Sequence, residues 1–443
     1  MKTFRLLMVA SVLAVAGPSA AETPPPNMVL IMADDLGYGD LGCYGNESIP
    51  TPHIDALADQ GMRFTDFHSN GAVCSPTRAA LMTGRYQQRA GIGGVVTAAN
   101  HRHTGLAVEE TTFADVLSAN GYATAIFGKW HLGYAPGFNP IHQGFDEFTG
   151  FVSGNVDFFS HIDQSGRPDW WHNDELAPAE GYVTHLVTGH GVRFIERHQE
   201  RPFMLYLAHL SPHYPYQGPN DGPIRSEDEL EILAAPGIDI GRAYREMMIE
   251  LDKGVGEIVA ALERHGLTDN TLVIFCSDNG ANRHGSNGPF RGHKGGIWEG
   301  GHRVPMIARW PGVIPAGAVN PATTMTMDLF PTMLEAAGIG LPDNLDGVSL
   351  LPVLTGEGEL EERTVFWQVG RGLAARRGPW KLVVELPPPG GEREAVDRPE
   401  GRLFHLGNDP GETTPVEEPE VHEALRAELE AWLAGWAAVP QRS

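Results

Sequence analysis

The chain has 443 residues, with 56 acidic against 32 basic side chains and a formal net charge of −24. That balance excludes a nucleic-acid partner, because phosphate backbones are met by basic surfaces. Three cysteines are too few for a disulfide-built scaffold, and the length supports a substantial core with roughly two or three domains, or one large domain with an appendage.

The opening stretch MKTFRLLMVASVLAVAGPSAAE reads as an export signal over residues 1–21. Lys2 and Arg5 form its basic start, Phe4 to Ala16 its apolar run, and Pro18-Ser19-Ala20-Ala21 its small-residue cleavage region. The run is short for a membrane span, and no later segment is apolar enough to cross. The expected product is exported, periplasmic or extracellular, with no membrane span. After the linker TPPPN, Met28 to Met32 form a continuous apolar run ending in Ala33-Asp34-Asp35. This is the pattern of a buried parallel strand, and ligands gather at the carboxyl ends of such strands.

A helix is predicted to begin at Cys74: Pro76 suits a first turn, Ala79-Ala80-Leu81-Met82 favour helix, and Gly84 makes a stop. Further strands are predicted at Thr124–Phe127, Phe203–Ala208 and Leu272–Cys276. Helices are predicted over Thr51–Gln60, Thr112–Asn120, Tyr182–His198 and Arg242–His265. This alternation predicts an α/β sandwich with a large mixed, mostly parallel sheet. Near residue 355 the rhythm changes. TVFWQV, GLAARR, WKLVVEL and RLFHL predict a small antiparallel sheet, Pro387 to Gly401 a loop, and Val421 to Trp436 a closing amphipathic helix. The division expected is a main domain over 22–355 and a C-terminal subdomain over 356–443.

Two apolar strands end in polar clusters, Asp34-Asp35 and Asp278-Asn279. Such residues cap helices and form turns. If the strands are neighbours, the same residues make an oxygen-only set for a hard cation, Ca²⁺ or Mg²⁺. Cys43 and Cys276 read as core in strand or strand-edge segments. Cys74 stands at a helix N-terminus, where negative charge is favoured.

Cys74-Ser-Pro76-Thr-Arg78, continued by Thr83-Gly84-Arg85, resembles the Cys-x-Pro-x-Arg signature of the type I sulfatases of the alkaline-phosphatase superfamily. NMVLIMADDLGYGDLGCYGN, TPHIDALADQGMRF, GKWHLG, SDNG and HKGGIWEGGHRVPMIARWPG are further family-like stretches, and the resemblance runs from Met28 to the closing helix. It implies an alkaline-phosphatase-like fold and a hydrolase for O-sulfate esters on a carbohydrate or a small sulfate ester. It implies that a maturation enzyme oxidises Cys74 to Cα-formylglycine, whose hydrate carries two hydroxyls, one to attack sulfur and one to eject sulfate. It further implies one divalent cation, calcium or magnesium, held by Asp34, Asp35, Asp278 and Asn279 with residue 74. Arg78 would hold the hydrate, Lys129 and His131 would bind sulfate and handle protons, and His213 and Lys294 would stand on the sulfate and leaving-group side. The alternatives are a formylglycine-dependent phosphate or phosphonate ester hydrolase, and a silent sulfated-glycan binder if Cys74 stays a thiol. His53, His68, His101, His103, His142 and His302 carry no motif support. The aromatic and polar stretch from Gly150 to Trp171 reads as either a sugar subsite or a packed insert.

Overall fold

The computed structural model describes residues 24–226, 233–386 and 400–443. The signal-like segment 1–21 and nearly all of the loop predicted at Pro387–Gly401 lie outside the described residues.

The strands of the main part are β1 (Asn27–Ala33), β2 (Met62–Phe64), β3 (Phe67–His68), β4 (Ala123–Lys129), β5 (Glu147–Phe151) and β6 (Trp171–His172). They continue as β7 (Glu175–Leu176), β8 (Phe203–Ala208), β9 (Thr271–Ser277), β10 (Met306–Arg309), β11 (Ala318–Asn320) and β12 (Thr324–Met325). Ten of them form one sheet in the order β11-β2-β10-β9-β1-β8-β4-β5-β6-β7. Its centre, β9-β1-β8-β4-β5, is parallel throughout, and antiparallel pairs flank it.

The apolar run of β1 has a simple cause. Met28, Leu30 and Met32 face one buried core, and Val29 and Ile31 face another. Both faces are covered, so no polar alternation survives in the sequence. Helices α1 (Pro52–Asp59), α2 (Cys74–Thr83), α3 (Phe113–Ala119), α4 (Val183–Arg197) and α5 (Ile240–Arg264) supply most of that cover. α4 and α5 place Val187, Phe194, Leu251 and Ile258 on the second core. α2 and α3 place Leu81, Met82, Phe113 and Leu117 on the first. α3 starts with a capping box, Thr112 accepting from the Asp115 N–H and Asp115 from the Thr112 N–H.

Gly128 shows how tightly the strands meet beside the future site. Its φ is +107°, and a Cβ there would lie 2.1 Å from the Ala208 carbonyl oxygen. Only glycine fits, so the chain turns into Lys129 without displacing β8.

The C-terminal sheet joins β13 (Thr364–Val369), β14 (Gly372–Arg377), β15 (Trp380–Glu385) and β16 (Arg402–His405), antiparallel in that order. After α6 (Glu299–His302), α7 (Leu329–Ala336) and α8 (Leu351–Thr355), helix α9 (Pro419–Ala434) closes the chain. As predicted, Leu425, Leu429, Trp432 and Leu433 form its packed face. The Trp432 ring stacks on Phe366 with centroids 5.3 Å apart.

The three cysteines are free. Cys43 sits in a short 3₁₀ turn rather than on a strand, while Cys276 lies inside β9.

Candidate active site

The site is built at the carboxyl edge of the parallel strands. β1 and β9 pair with Ala33 opposite Ser277, so Asp34 and Asp278 leave the sheet side by side. The Asp35 N–H donates to Asp278 Oδ1 at 3.2 Å. Asn279 Nδ2 donates to Asp35 Oδ1 at 2.8 Å. Asp35 has φ +64° and His131 φ +58°. Such left-handed backbone at non-glycine residues costs about 1–3 kcal/mol and persists where the surroundings over-determine it. Lys129 ends β4, and its Nζ lies 2.6 Å from Asp34 Oδ2. Lys294, from the distant Gly-His-Lys loop, places Nζ 2.6 Å from Asp35 Oδ1.

α2 carries the cysteine motif into this edge. Cys74 is its first residue, and the helix stops at Gly84, whose φ is +64°. Each motif residue has a distinct task. Cys74 Sγ lies 3.5 Å from Asp34 Oδ1 and 3.4 Å from Lys294 Nζ. Ser75 Oγ accepts from the Val96 N–H at 3.1 Å, and Thr77 Oγ1 donates to the Gly71 carbonyl at 2.9 Å. Arg78 donates to Asp278 Oδ2 at 2.9 Å, to the Lys129 carbonyl at 3.2 Å and to the Tyr206 hydroxyl at 3.4 Å.

Three carboxylates therefore meet three cations in a buried site: Asp34, Asp35 and Asp278 against Arg78, Lys129 and Lys294. Burial acts to raise the Asp35 pKa, but Lys294, with the Asn279 amide, outweighs it and holds the carboxyl at about 2. Burial, then the neighbouring Asp34, pushes Asp278 up. Burial also pushes the Cys74 thiol up to about 12, against the pull of Lys129 and Lys294. An unmodified Cys74 is thus a protonated thiol at neutral pH, a weak nucleophile. Burial and the nearby lysines hold His131 and His213 well below the ordinary imidazole range, so both are neutral.

Asp34, Asp35, Cys74 and His213 bring one donor atom each within 4.8 Å of one another. Asp35 Oδ2 and Asn279 Oδ1 are buried and accept no hydrogen bond. Unpaired buried acceptors are costly unless something positive meets them, so these residues fit a divalent cation, and the carboxylate and amide oxygens suit a hard one. Asp278 belongs to the same knot, but its two oxygens are engaged by Arg78 and the Asp35 N–H. His213, expected on the sulfate side, stands with Nε2 3.8 Å from Asp35 Oδ2.

The sulfatase family model matches residues 26–339, a span containing every residue of this site. The chain belongs to the sulfatase family. It is a sulfuric ester hydrolase of the formylglycine-dependent, arylsulfatase-like type within the alkaline-phosphatase superfamily. N-acetylgalactosamine-6-sulfatase of Canis lupus familiaris is 36% identical, over 93% of this chain and 85% of its own. Arylsulfatase A of Homo sapiens is 37% identical, over 85% and 76%. Among solved structures, Ps i-CgsB in complex with k-i-k-neocarrahexaose superposes with a TM-score of 0.80 at 30% identity, covering 94% of each chain.

In the sulfatase a cavity of about 750 Å³ lies above this site. Cys74, His131, His213 and Lys294 line its floor, with Tyr134 and Tyr214 on its walls. The Gly150–Trp171 stretch divides between the two expected roles. Phe151, Phe158 and Trp170 are buried in the second core, so the aromatics pack. Ser153, Asn155, Gln164 and their neighbours line the cavity. Gly154 is obligatory here, because a Cβ would lie 2.7 Å from His131 Nε2.

Sequence reasoning missed Tyr206 beneath Arg78, Ser75 as the anchor of the 95–100 wall, and Tyr134 and Tyr214. None carries a local pattern that marks it. His302 is not in the cavity. It joins His68 and Glu299 in a second group with ligating geometry, between the main sheet and the C-terminal sheet. Glu299 already pairs with Lys381 at 2.9 Å, Arg376 at 3.1 Å and Arg303 at 3.3 Å. Three fixed cations leave this group no need of a metal, and it serves as a clamp.

Proposed function

We propose that the protein is an exported, periplasmic or extracellular sulfatase that hydrolyses O-sulfate esters on a carbohydrate. In this reading residue 74 is converted to formylglycine by a maturation enzyme, and one divalent cation, calcium or magnesium, is held by Asp34, Asp35, Asn279 and residue 74, with Asp278 alongside. The observation that carries it is the placement of residue 74. It opens a buried helix beside unpaired Asp35 and Asn279 oxygens and between two lysines, at the floor of a sugar-sized cavity. The carbohydrate substrate is supported by relatives named N-acetylgalactosamine-6-sulfatase and by the solved complex with k-i-k-neocarrahexaose.

When present, the aldehyde hydrate supplies a hydroxyl nucleophile and the cation a Lewis acid. The remaining work falls to fixed side chains. In this reading Lys294, which lines the cavity, and Lys129, paired with Asp34, would supply the pre-placed positive charge that acts strongly on sulfate oxygens in a dry site. Arg78 stays locked on Asp278 and keeps the helix start in register. The Val96 carbonyl can only accept, so His131 donates to it from Nε2, 3.0 Å away. His131 Nδ1 is then left as a buried acceptor without a partner among the described residues. By the same logic His213 donates from Nδ1 to the Tyr214 carbonyl and keeps Nε2 as its open nitrogen.

The test is the mass of the peptide containing residue 74 in protein from its native host, alongside turnover of aryl sulfate and aryl phosphate. A peptide lighter than the thiol form, with sulfate preferred, is expected. An unmodified thiol, or higher turnover of phosphate, overturns the reading in favour of the silent binder or the phosphoester hydrolase. A chelator should lower turnover at least ~10²-fold, because Lewis-acid assistance is worth several kcal/mol, and added calcium or magnesium should restore it. Full activity in rigorously metal-free protein would contradict the ligand set.

A further inference from the structure

Among the described residues that line the cavity, one cation is not used by the catalytic reading. Lys129, Lys294 and Arg78 all face carboxylates. Arg102, on the wall above them, does not. It donates from Nη2 to Ser165 Oγ at 2.9 Å, and its guanidinium lies 5.9 Å from the centre of the Tyr134 ring. Among the described residues it has no carboxylate partner within ion-pair distance. Asp163 reaches it only through the shared Ser165 hydroxyl. It accepts from Ser165 Oγ at 2.7 Å, from the Ser165 N–H at 2.7 Å and from the Arg167 N–H at 3.0 Å, holding its own loop.

In a chain of net charge −24, an unpaired arginine on a cavity wall stands out. Its wall is also braced. The Val96 N–H is bonded to Ser75 and the Val96 carbonyl to His131, and His101 Nδ1 accepts from the Thr97 N–H at 3.0 Å. The segment that carries Arg102 is therefore tied to the catalytic floor rather than free in solvent. The cavity, at about 750 Å³, falls within the roughly 300–1,000 Å³ that bury ligands of drug size. It has room for a sugar unit and a neighbour beyond the sulfate being cleaved.

Resting on the sulfatase reading above, we propose that Arg102 binds a second oxyanion of the substrate, remote from the ester that is hydrolysed. The substrate class is then a saccharide carrying at least two anionic groups, the second being a sulfate or a carboxylate. A guanidinium meets either with paired N–H donors. Tyr134 and Ser165 orient it, and the Tyr214 hydroxyl, accepting from Gln164 Nε2 at 3.2 Å, adds a polar group to the lining of the same cavity.

The experiment uses the mature, metal-loaded enzyme turning over 4-nitrophenyl sulfate. Inhibition constants are measured for a monosulfated disaccharide, its disulfated analogue and its uronate-containing analogue. The readout is the ratio of the singly to the doubly charged inhibitor, so a uniform loss of activity leaves it untouched. In the wild type a doubly charged inhibitor should bind about ten- to a hundredfold better, the worth of one charge-assisted contact. Arg102→Gln should bring that ratio close to one, Arg102→Lys should keep part of it, and Ser165→Ala should keep most of it. The preferred analogue identifies the second group as sulfate or carboxylate. A wild-type ratio near one, or a ratio unchanged in Arg102→Gln, overturns the assignment. A wild type that turns over no sulfate ester overturns the sulfatase reading itself, which is a different failure.

Discussion

Cys74→Ala is expected to lower kcat by on the order of 10³-fold or more, the scale seen when a nucleophile is deleted from a concerted site, with the fold retained. The alanine fits because Cys74 adds only a small buried side chain at the start of α2, and Ser75, Thr77 and Arg78 keep their own contacts. Circular dichroism and steady-state turnover of an aryl sulfate check both halves. Cys74→Ser sharpens the test. Serine has one hydroxyl where the aldehyde hydrate has two, so a single sulfation event per molecule is the most it should perform. A burst of one equivalent followed by silence is the expected trace. Sustained turnover by the serine variant would sink the hydrate mechanism.

Glu299→Ala is expected to cost about 3–5 kcal/mol of stability, because it strands buried cations. Glu299 is fully buried and neutralises Lys381, Arg376 and Arg303 where the C-terminal sheet meets the main one. Asp66 takes Arg376 at 2.7 Å and Arg303 at 3.1 Å, but of its two carboxylate partners Lys381 would retain Glu412 alone, at 2.9 Å. Urea unfolding measures the loss, and a change below about 1 kcal/mol would contradict the clamp.

The same clamp sets an acid limit. Burial holds His68 and His302 below the usual 6.5. Below about pH 6.5 the unfolded chain therefore binds protons that the folded chain refuses, and stability falls as pH falls. Burial opposes ionisation of Glu299, yet Lys381 and Arg376 outweigh it and hold the carboxyl well below its usual 4.5. Its contribution is present above that pH and is lost as pH drops further. Unfolding midpoints taken from pH 7 to pH 3 should decline in both windows. In Glu299→Ala the decline in the lower window should be shallower.

Much of this was legible in the chain because its causes are local. A strand buried on both faces must read as an apolar run, so β1, β4, β8 and β9 announced themselves. Thr112 and Asp115 cap α3 with their own side chains, and Gly84 stops α2 through its own φ. The cysteine motif was readable for a related reason: Ser75, Thr77 and Arg78 make contacts that fix one short helix start. The sulfatase family could therefore be recognised from the order of side chains alone.

Tertiary structure decided what depends on distant pairing. Asp35 and Asp278 meet across 243 positions only because β1 and β9 run parallel in the register that sets Ala33 against Ser277. The place of His302 was also undecided by the chain: it is walled in by Trp367 and Lys381, while His213 faces the cavity. The Gly150–Trp171 stretch gave no sign of which side chains would turn inward. Arg102 and Ser165, 63 positions apart, carry no pattern that joins them. Side-chain type and local spacing determine which elements form and which chemistry is available. Long-range packing determines which of those groups lose water, find partners and face the same space, and that choice made the site.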